Sequence, residues 1–300
     1  MGFVVASSVT CGLLRGDPRP ARVVAVLDAA VYLEISSRPG DGGPGDSRPG
    51  EPATAWVALL ARDAVRVPIG LVTALPSQRR PFAAVTVGDR AVIGGGELAL
   101  PGGGPAGGDA VHRPLRYWDP TVPRFGAALG TASAARRAEA LAQLATAMPR
   151  AATDPWRTPA QALEAALGSP DPDPHRLAEA AGALAGLGPG LTPAGDDVLA
   201  GALVTLAAAG DGTRRAALAR AVEGVVGRTT PLSAVLLAQA AAGRAVPQVG
   251  DVLRAVAGSG DLDAVIGRLG RVGHTSGAAL ALGMRAALRA VTGHVLRRCA

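Results

Sequence analysis

The chain has 300 residues, of which 48% are hydrophobic but only 3% aromatic, with a formal charge of +6. That length buries a sizeable core and has room for two domains, and the scarcity of aromatics makes it a core of Ala, Val and Leu. The positive charge rests entirely on arginine with no lysine, which together with the Ala, Gly and Pro excess reads as a coding bias; without interleaved aromatics, nucleic acid is not expected as a partner.

Cys11 and Cys299 form neither a disulfide framework nor a metal-ligand spacing, which points to a reducing, cytoplasmic setting. The longest uncharged apolar run, Thr229 to Gly243, contains Pro231 and Gln239 and is bounded by Arg228 and Arg244. It falls short of the ~18 residues of a membrane span, so no membrane is expected.

In chain order, Arg22–Leu27, a turn near Asp28 and Val31–Ile35 predict a hairpin. Pro39 to Pro52 is dense in Pro, Gly and Asp and reads as a mobile loop. Trp56–Leu60, Ala64–Val67 and Ile69–Leu75 are short strand-like segments. Phe82–Val87, a Gly88-Asp89 turn and Arg90–Ile93 read as the clearest hairpin. Strands at this spacing predict a small sandwich or a partly closed barrel over residues 1–110. No strand leads into a Gly-rich helix start, which argues against a dinucleotide-binding half.

After a second Gly-rich run, Pro101 to Gly108, the pattern changes. Trp118 and Phe125 fall in an irregular connection. Helical spacing then covers Ala132–Ala147, Pro159–Leu167, Arg176–Leu187, the run from Thr192 to Ala209, Gly212–Val226, Pro231–Ala242, Val249–Ala257, Leu262–Leu269 and Gly277–Arg297. The expected fold is α+β, with a strand-rich first part and an Ala/Leu-rich helical domain over residues 111–300. His112 and His175 read as solvated loop residues.

The chemistry concentrates at three helix starts. The first is Gly188-Pro189-Gly190-Leu191-Thr192-Pro193-Ala194-Gly195-Asp196-Asp197, where Thr192 is a candidate cap, Pro193 suits the first helical position and two carboxylates follow. Gly190 and Gly195 allow a backbone or a ligand to come close. Asp196 shares a stripe with Leu199, Leu203 and Leu206 and so points inward, where an unpaired charge is costly; Asp197 lies ~100° round, over Gly201 and Ala208. Both a buried structural cap and a ligand-facing acid fit this pattern.

The second start is Arg228-Thr229-Thr230-Pro231-Leu232-Ser233, and the third is Gly273-His274-Thr275-Ser276-Gly277. Each is an ordinary capping signal alone. Meeting at one point, the three would offer N–H donors, hydroxyls and positive dipole ends to a small anion. Amides around Thr192, Thr230 and Ser276, helped by Arg228, would then hold phosphate or carboxylate oxygens. Asp196 or Asp197 would take N–H donors of an amide, or a Mg2+ carried in with a phosphate. His274 is the side chain of this set able to exchange a proton near neutral pH.

These segments, in this order, resemble the family typified by the AllH subunit of oxamate carbamoyltransferase. The resemblance rests on Gly188, Gly190, Leu191, Thr192, Pro193, Gly195, Asp196, Asp197, Leu199 and Gly201, on Thr229, Thr230, Ser233 and Gly243, and on Gly273 to Gly277 with Gly283. It spans roughly residues 186–283. It implies a transferase subunit that works with other protein subunits on oxalurate, phosphate, carbamoyl phosphate and oxamate, in allantoin catabolism. Two other readings compete with it. One is a Mg-dependent phosphotransferase built on the Gly195-Asp196 helix start, a reading weakened by the missing strand-helix alternation. The other is a non-catalytic ligand-sensing or docking subunit.

Overall fold

A computed structural model of the chain describes residues 2–36, 55–102, 108–125, 131–146, 155–169 and 171–298. The run Pro39–Pro52, most of Pro101–Gly108, Cys299 and residue 147 at the end of one expected helix lie outside the described residues. The chain divides into two compact units, Met1–Pro120 and Thr121–Ala300.

The first unit is a closed barrel of eight strands: β1 (Gly2–Ser7), β2 (Arg19–Leu27), β3 (Ala30–Ile35), β4 (Ala55–Leu60), β5 (Gly70–Thr73), β6 (Arg90–Gly94), β7 (Glu97–Leu100) and β8 (Ala110–Trp118). Their order around the barrel is β1-β5-β4-β3-β2-β6-β7-β8. The expected hairpin is β2–β3, with Val26 opposite Val31. Closure comes from β1, which runs parallel to β8, Gly2 facing His112, and antiparallel to β5, Val4 facing Thr73. A sheet closed on itself has no unpaired edge, and alternate residues fill its interior. Val23, Leu33, Val57, Leu59, Leu71, Ile93 and Leu98 form that core.

Three expectations change here. Ala64–Val67 forms no strand. The hairpin read over 82–93 has only its second arm. Asp89 accepts hydrogen bonds from the Thr86 N–H at 2.8 Å and from the Thr86 hydroxyl at 2.7 Å, which bends the chain into a turn just before β6. Phe82 and Val85 are nevertheless buried, because the turn they sit in covers the barrel core. The hairpin that does form is β6–β7, turning through Gly95 and Gly96. His112 lies in β8 and is half-buried, not a solvated loop residue.

The second unit consists of helices joined by turns, with one isolated bridge, Thr121 to Arg244, among the described residues. After a five-residue helix in the barrel unit, α1 (Cys11–Arg15), these are α2 (Thr131–Thr146), α3 (Arg157–Gly168), α4 (Pro174–Leu184), α5 (Ala194–Ala209), α6 (Gly212–Glu223), α7 (Pro231–Ala241), α8 (Pro247–Val256), α9 (Leu262–Leu269) and α10 (Ser276–Arg298). His175 is the exposed second residue of α4, not a loop residue. Phe125 is buried and its N–H donates to the Ala208 carbonyl at 2.8 Å. Among the described residues no helix is long and apolar enough to cross a membrane.

The centre of this unit is α5 against α10. Thirteen of the sixteen residues of α5 are buried, so this helix is apolar on nearly every side, as a helix inside a core must be. Glycines allow the close approach. A Cβ on Gly283 would stand 1.9 Å from the Val198 carbonyl oxygen, and one on Gly201 would stand 2.2 Å from that of Leu280. No side chain fits at either position.

Candidate functional site

The segment before α5 is a tight, glycine-dependent loop. Gly188 and Gly190 have φ of 119° and 95°, a region other residues rarely adopt. Pro193, with φ −54° and ψ 141°, stands at the cap position and makes no side-chain capping bond. Thr192 is therefore not the cap. Gly195 sits where a Cβ would be 2.0 Å from the Leu184 carbonyl oxygen, so the close neighbour at this glycine is the end of α4.

Asp196 is buried, with 2% of its surface exposed, as its place on the Leu199–Leu203 stripe predicts. Its charge is not left alone. Oδ1 accepts from the Gly186 N–H at 2.9 Å, and Oδ2 accepts from the Ser233 hydroxyl at 2.7 Å and from the Thr229 hydroxyl. One carboxylate thus ties the α4–α5 loop, the turn before α7 and the first turn of α7. Thr230 caps α7, accepting from the Ser233 N–H at 3.0 Å, and donates its hydroxyl to the Leu191 carbonyl at 2.6 Å. The first and second helix starts are therefore joined through both Asp196 and Leu191.

Asp197 is the member of the pair with bonding capacity to spare. Its Oδ2 is out of reach of solvent and has no hydrogen-bond partner among the described residues. Burial pushes its pKa up from 3.8 to about 7; a hydrogen bond with the Ser276 side chain pulls it down, and the neighbouring Asp196 charge pushes it further up. Ser276 is the first residue of α10, so the third helix start meets the acidic pair through this hydroxyl.

The three starts converge, and part of their donor set is already used. The Gly195 N–H donates to the Leu187 carbonyl at 2.8 Å, the Ser233 N–H to Thr230, and the Gly277 N–H to the Val272 carbonyl at 2.9 Å. His274 and Arg228 are exposed, and neither bonds to the acidic pair among the described residues. The Arg228 side chain lies instead at α4, its Nη1 3.0 Å from where a Cβ on Gly182 would stand. Thr275 is half-buried, and its carbonyl accepts from the Ala279 N–H at 3.0 Å.

Gly186 is the residue that sequence reasoning misses. Its N–H reaches Asp196, and a Cβ there would meet the Arg228 carbonyl oxygen at 2.3 Å. Its position ten residues before Asp196, at a helix end, is the one signal the sequence offers. Asp196 faces three donors and is not free to hold Mg2+, which leaves Asp197 as the one carboxylate of the pair that a phosphate-borne Mg2+ would meet. Among the described residues no group of three acidic, His or Cys side chains stands ready for a metal.

Fold and site thus define a two-unit α+β protein whose helical unit gathers three helix starts around an acidic pair, Asp196 buried and Asp197 half-buried. Residues 184–288 match the model of a family described as oxamate carbamoyltransferase subunit AllH. The match covers both Asp residues and the starts of α5, α7 and α10. No curated protein and no solved structure matches the chain.

Proposed function

We propose that the helical unit binds a small carboxylate carrying N–H donors, of the oxamate or oxalurate kind, as one subunit of a carbamoyltransferase-like system. The observation that carries this reading is the Asp197 carboxyl: half-buried, one oxygen shielded and unpartnered among the described residues, with a pKa near 7, inside the matched segment. An acid in that state either accepts an N–H from a bound amide or donates to a leaving nitrogen, and a pKa near the working pH suits both.

In carbamoyl transfer from oxalurate to phosphate, a phosphate oxygen bonds to the carbamoyl carbon and the C–N bond to the oxamate nitrogen breaks. That nitrogen needs a proton as it leaves. Protonated Asp197 supplies it, and the reverse reaction returns it. Ser276 orients the carboxyl, Thr275 and the amides of the first turn of α10 other than that of Gly277 bind substrate oxygens at the positive end of the helix, and the exposed His274 meets the second anion, with Arg228 adding positive charge from its place at α4. Asp196, Thr229, Thr230, Ser233 and the Gly188–Gly195 loop hold the frame. Partner subunits would complete the reaction in the cytoplasm, in allantoin catabolism.

Thermal-shift titration with oxamate, oxalurate, carbamoyl phosphate, phosphate and ATP–Mg, on the wild type and on Asp197→Asn, tests the reading. A ligand at a hundredfold excess over its Kd stabilises the fold by about 2.7 kcal/mol. Oxamate or oxalurate should do so in the wild type and much less in the variant. A response to ATP–Mg alone would favour phosphoryl transfer, and no response to any of them would leave a docking subunit.

A further inference from the structure

The barrel unit holds a feature that the acidic pair leaves unexplained. A cavity of about 570 Å3 opens at the barrel beside the turn that precedes β6, within the size range of small-molecule sites. Phe3, Leu59, Leu75, Phe82, Val85 and Leu100 give it apolar walls. Phe3 and Leu75 are 54% and 52% exposed, so part of that apolar wall is open to water.

Arg79 and Arg80 line the same cavity, and neither side chain has an ion pair or hydrogen-bond partner among the described residues. Both are exposed, and the chain is anchored on either side of them. Upstream, Ser77 is pinned by Asp63, which accepts from its N–H and from its hydroxyl, both at 2.7 Å. Downstream, Phe82 and Val85 are anchored in the barrel core. Among the described residues Arg80 is the one non-glycine residue with left-handed backbone, at φ 46°. Arg80 closes the 3-10 turn Ser77–Arg79 in this conformation, its N–H donating to the Ser77 carbonyl at 2.8 Å, and so turns the chain at the rim of the cavity.

The other polar groups of the wall offset this charge only in part. Asp109, which accepts from the Gly102 N–H at 3.2 Å, carries one negative charge against the two arginines and pairs with neither among the described residues. His112 is neutral at pH 7, burial having lowered its pKa to about 4. Arg80 also borders a neighbouring cavity of about 430 Å3 that holds Asp28, and no ion pair joins the two.

We propose that this end of the barrel is a binding site for an amphipathic organic anion, its carboxylate or phosphate head paired with Arg79 and Arg80 and its apolar body in the cavity. The site is independent of the acidic pair in the helical unit.

Calorimetric titration of the full chain with sodium octanoate, octyl phosphate and 1-octanol provides the test. At least one of the two anions should bind at least tenfold more tightly than the alcohol, and the tighter of them tells which head group the arginines select. The double variant Arg79→Gln, Arg80→Asn keeps a residue that tolerates left-handed backbone, so it should fold. It should lose about tenfold or more in affinity for the preferred anion and leave octanol unchanged. Ala84→Phe, which projects into the cavity, should weaken all three ligands at least tenfold with circular dichroism unaltered. Absence of binding to the wild type, equal affinity for octanol and both anions, or anion binding by the double variant at wild-type strength would each overturn the proposal.

Discussion

Replacing Asp197 by Asn removes the ionisation while keeping the shape, so it isolates the cost of charging a buried carboxyl. In the unfolded chain this group ionises near 3.8, and in the folded protein near 7. Below about pH 4 both states are protonated and the acid has no effect on stability. Between pH 4 and 7 the unfolded chain gives up its proton while the folded one keeps it, so wild-type stability falls as pH rises, and the whole cost is present above 7. A rise of that size amounts to about 4 kcal/mol at most. Partial contact of the residue with solvent brings it to about 2 kcal/mol. Urea unfolding followed by far-UV circular dichroism, which reports mainly the helices, should therefore show the Asp197→Asn variant gaining about 2 kcal/mol on wild type between pH 4 and 8. For a unit of this size the melting-temperature gap widens by about 4–8 °C. Stability curves that stay parallel across that range would refute the claim that Asp197 titrates near neutrality.

Two further outcomes follow from the same geometry. Asp196→Ala strands the Gly186 N–H and two hydroxyls, and should cost about 3 kcal/mol, read as a lower urea midpoint at unchanged slope. His112 has a lowered pKa in the fold, so the unfolded chain takes up a proton first as pH falls. Barrel stability should drop by about 2 kcal/mol between pH 6.5 and 4, and the drop should vanish in His112→Gln, as followed by fluorescence of the buried Trp56.

Local patterns are readable wherever neighbours in sequence are neighbours in space. The β2–β3 hairpin and α9 follow directly from alternation and from capping by Asp261, which accepts from the Ala264 N–H. The pairing of β1 with β8 joins residues more than a hundred positions apart, and no local signal in Gly2–Ser7 foretells it; that pair turns an expected partly closed barrel into a closed one. The hairpin expected over 82–93 fails because apolar alternation continues through a turn that Asp89 makes with its side chain.

At the site, the inward direction of Asp196 is legible from the Leu stripe, but its partners are not. Both hydroxyls come from residues 33 and 37 positions later, and the amide from a glycine ten positions earlier. Thr192 looks like a cap because its residue type fits, and Pro193 occupies that place instead. The freedom of Asp197 is invisible in sequence, since it depends on which of two adjacent acids the hydroxyls choose.

The glycine crossing at Gly201 and Gly283 also sets how close the two helices stand. Two backbones in near contact leave no side chain to repack at the crossing, so a Cβ at either glycine would force α5 and α10 apart. Asp197 and Ser276 stand in the first turns of these two helices. The links to α7, by contrast, are side-chain hydroxyls on Asp196 and the Leu191 carbonyl, which can be removed one at a time without touching the glycine crossing.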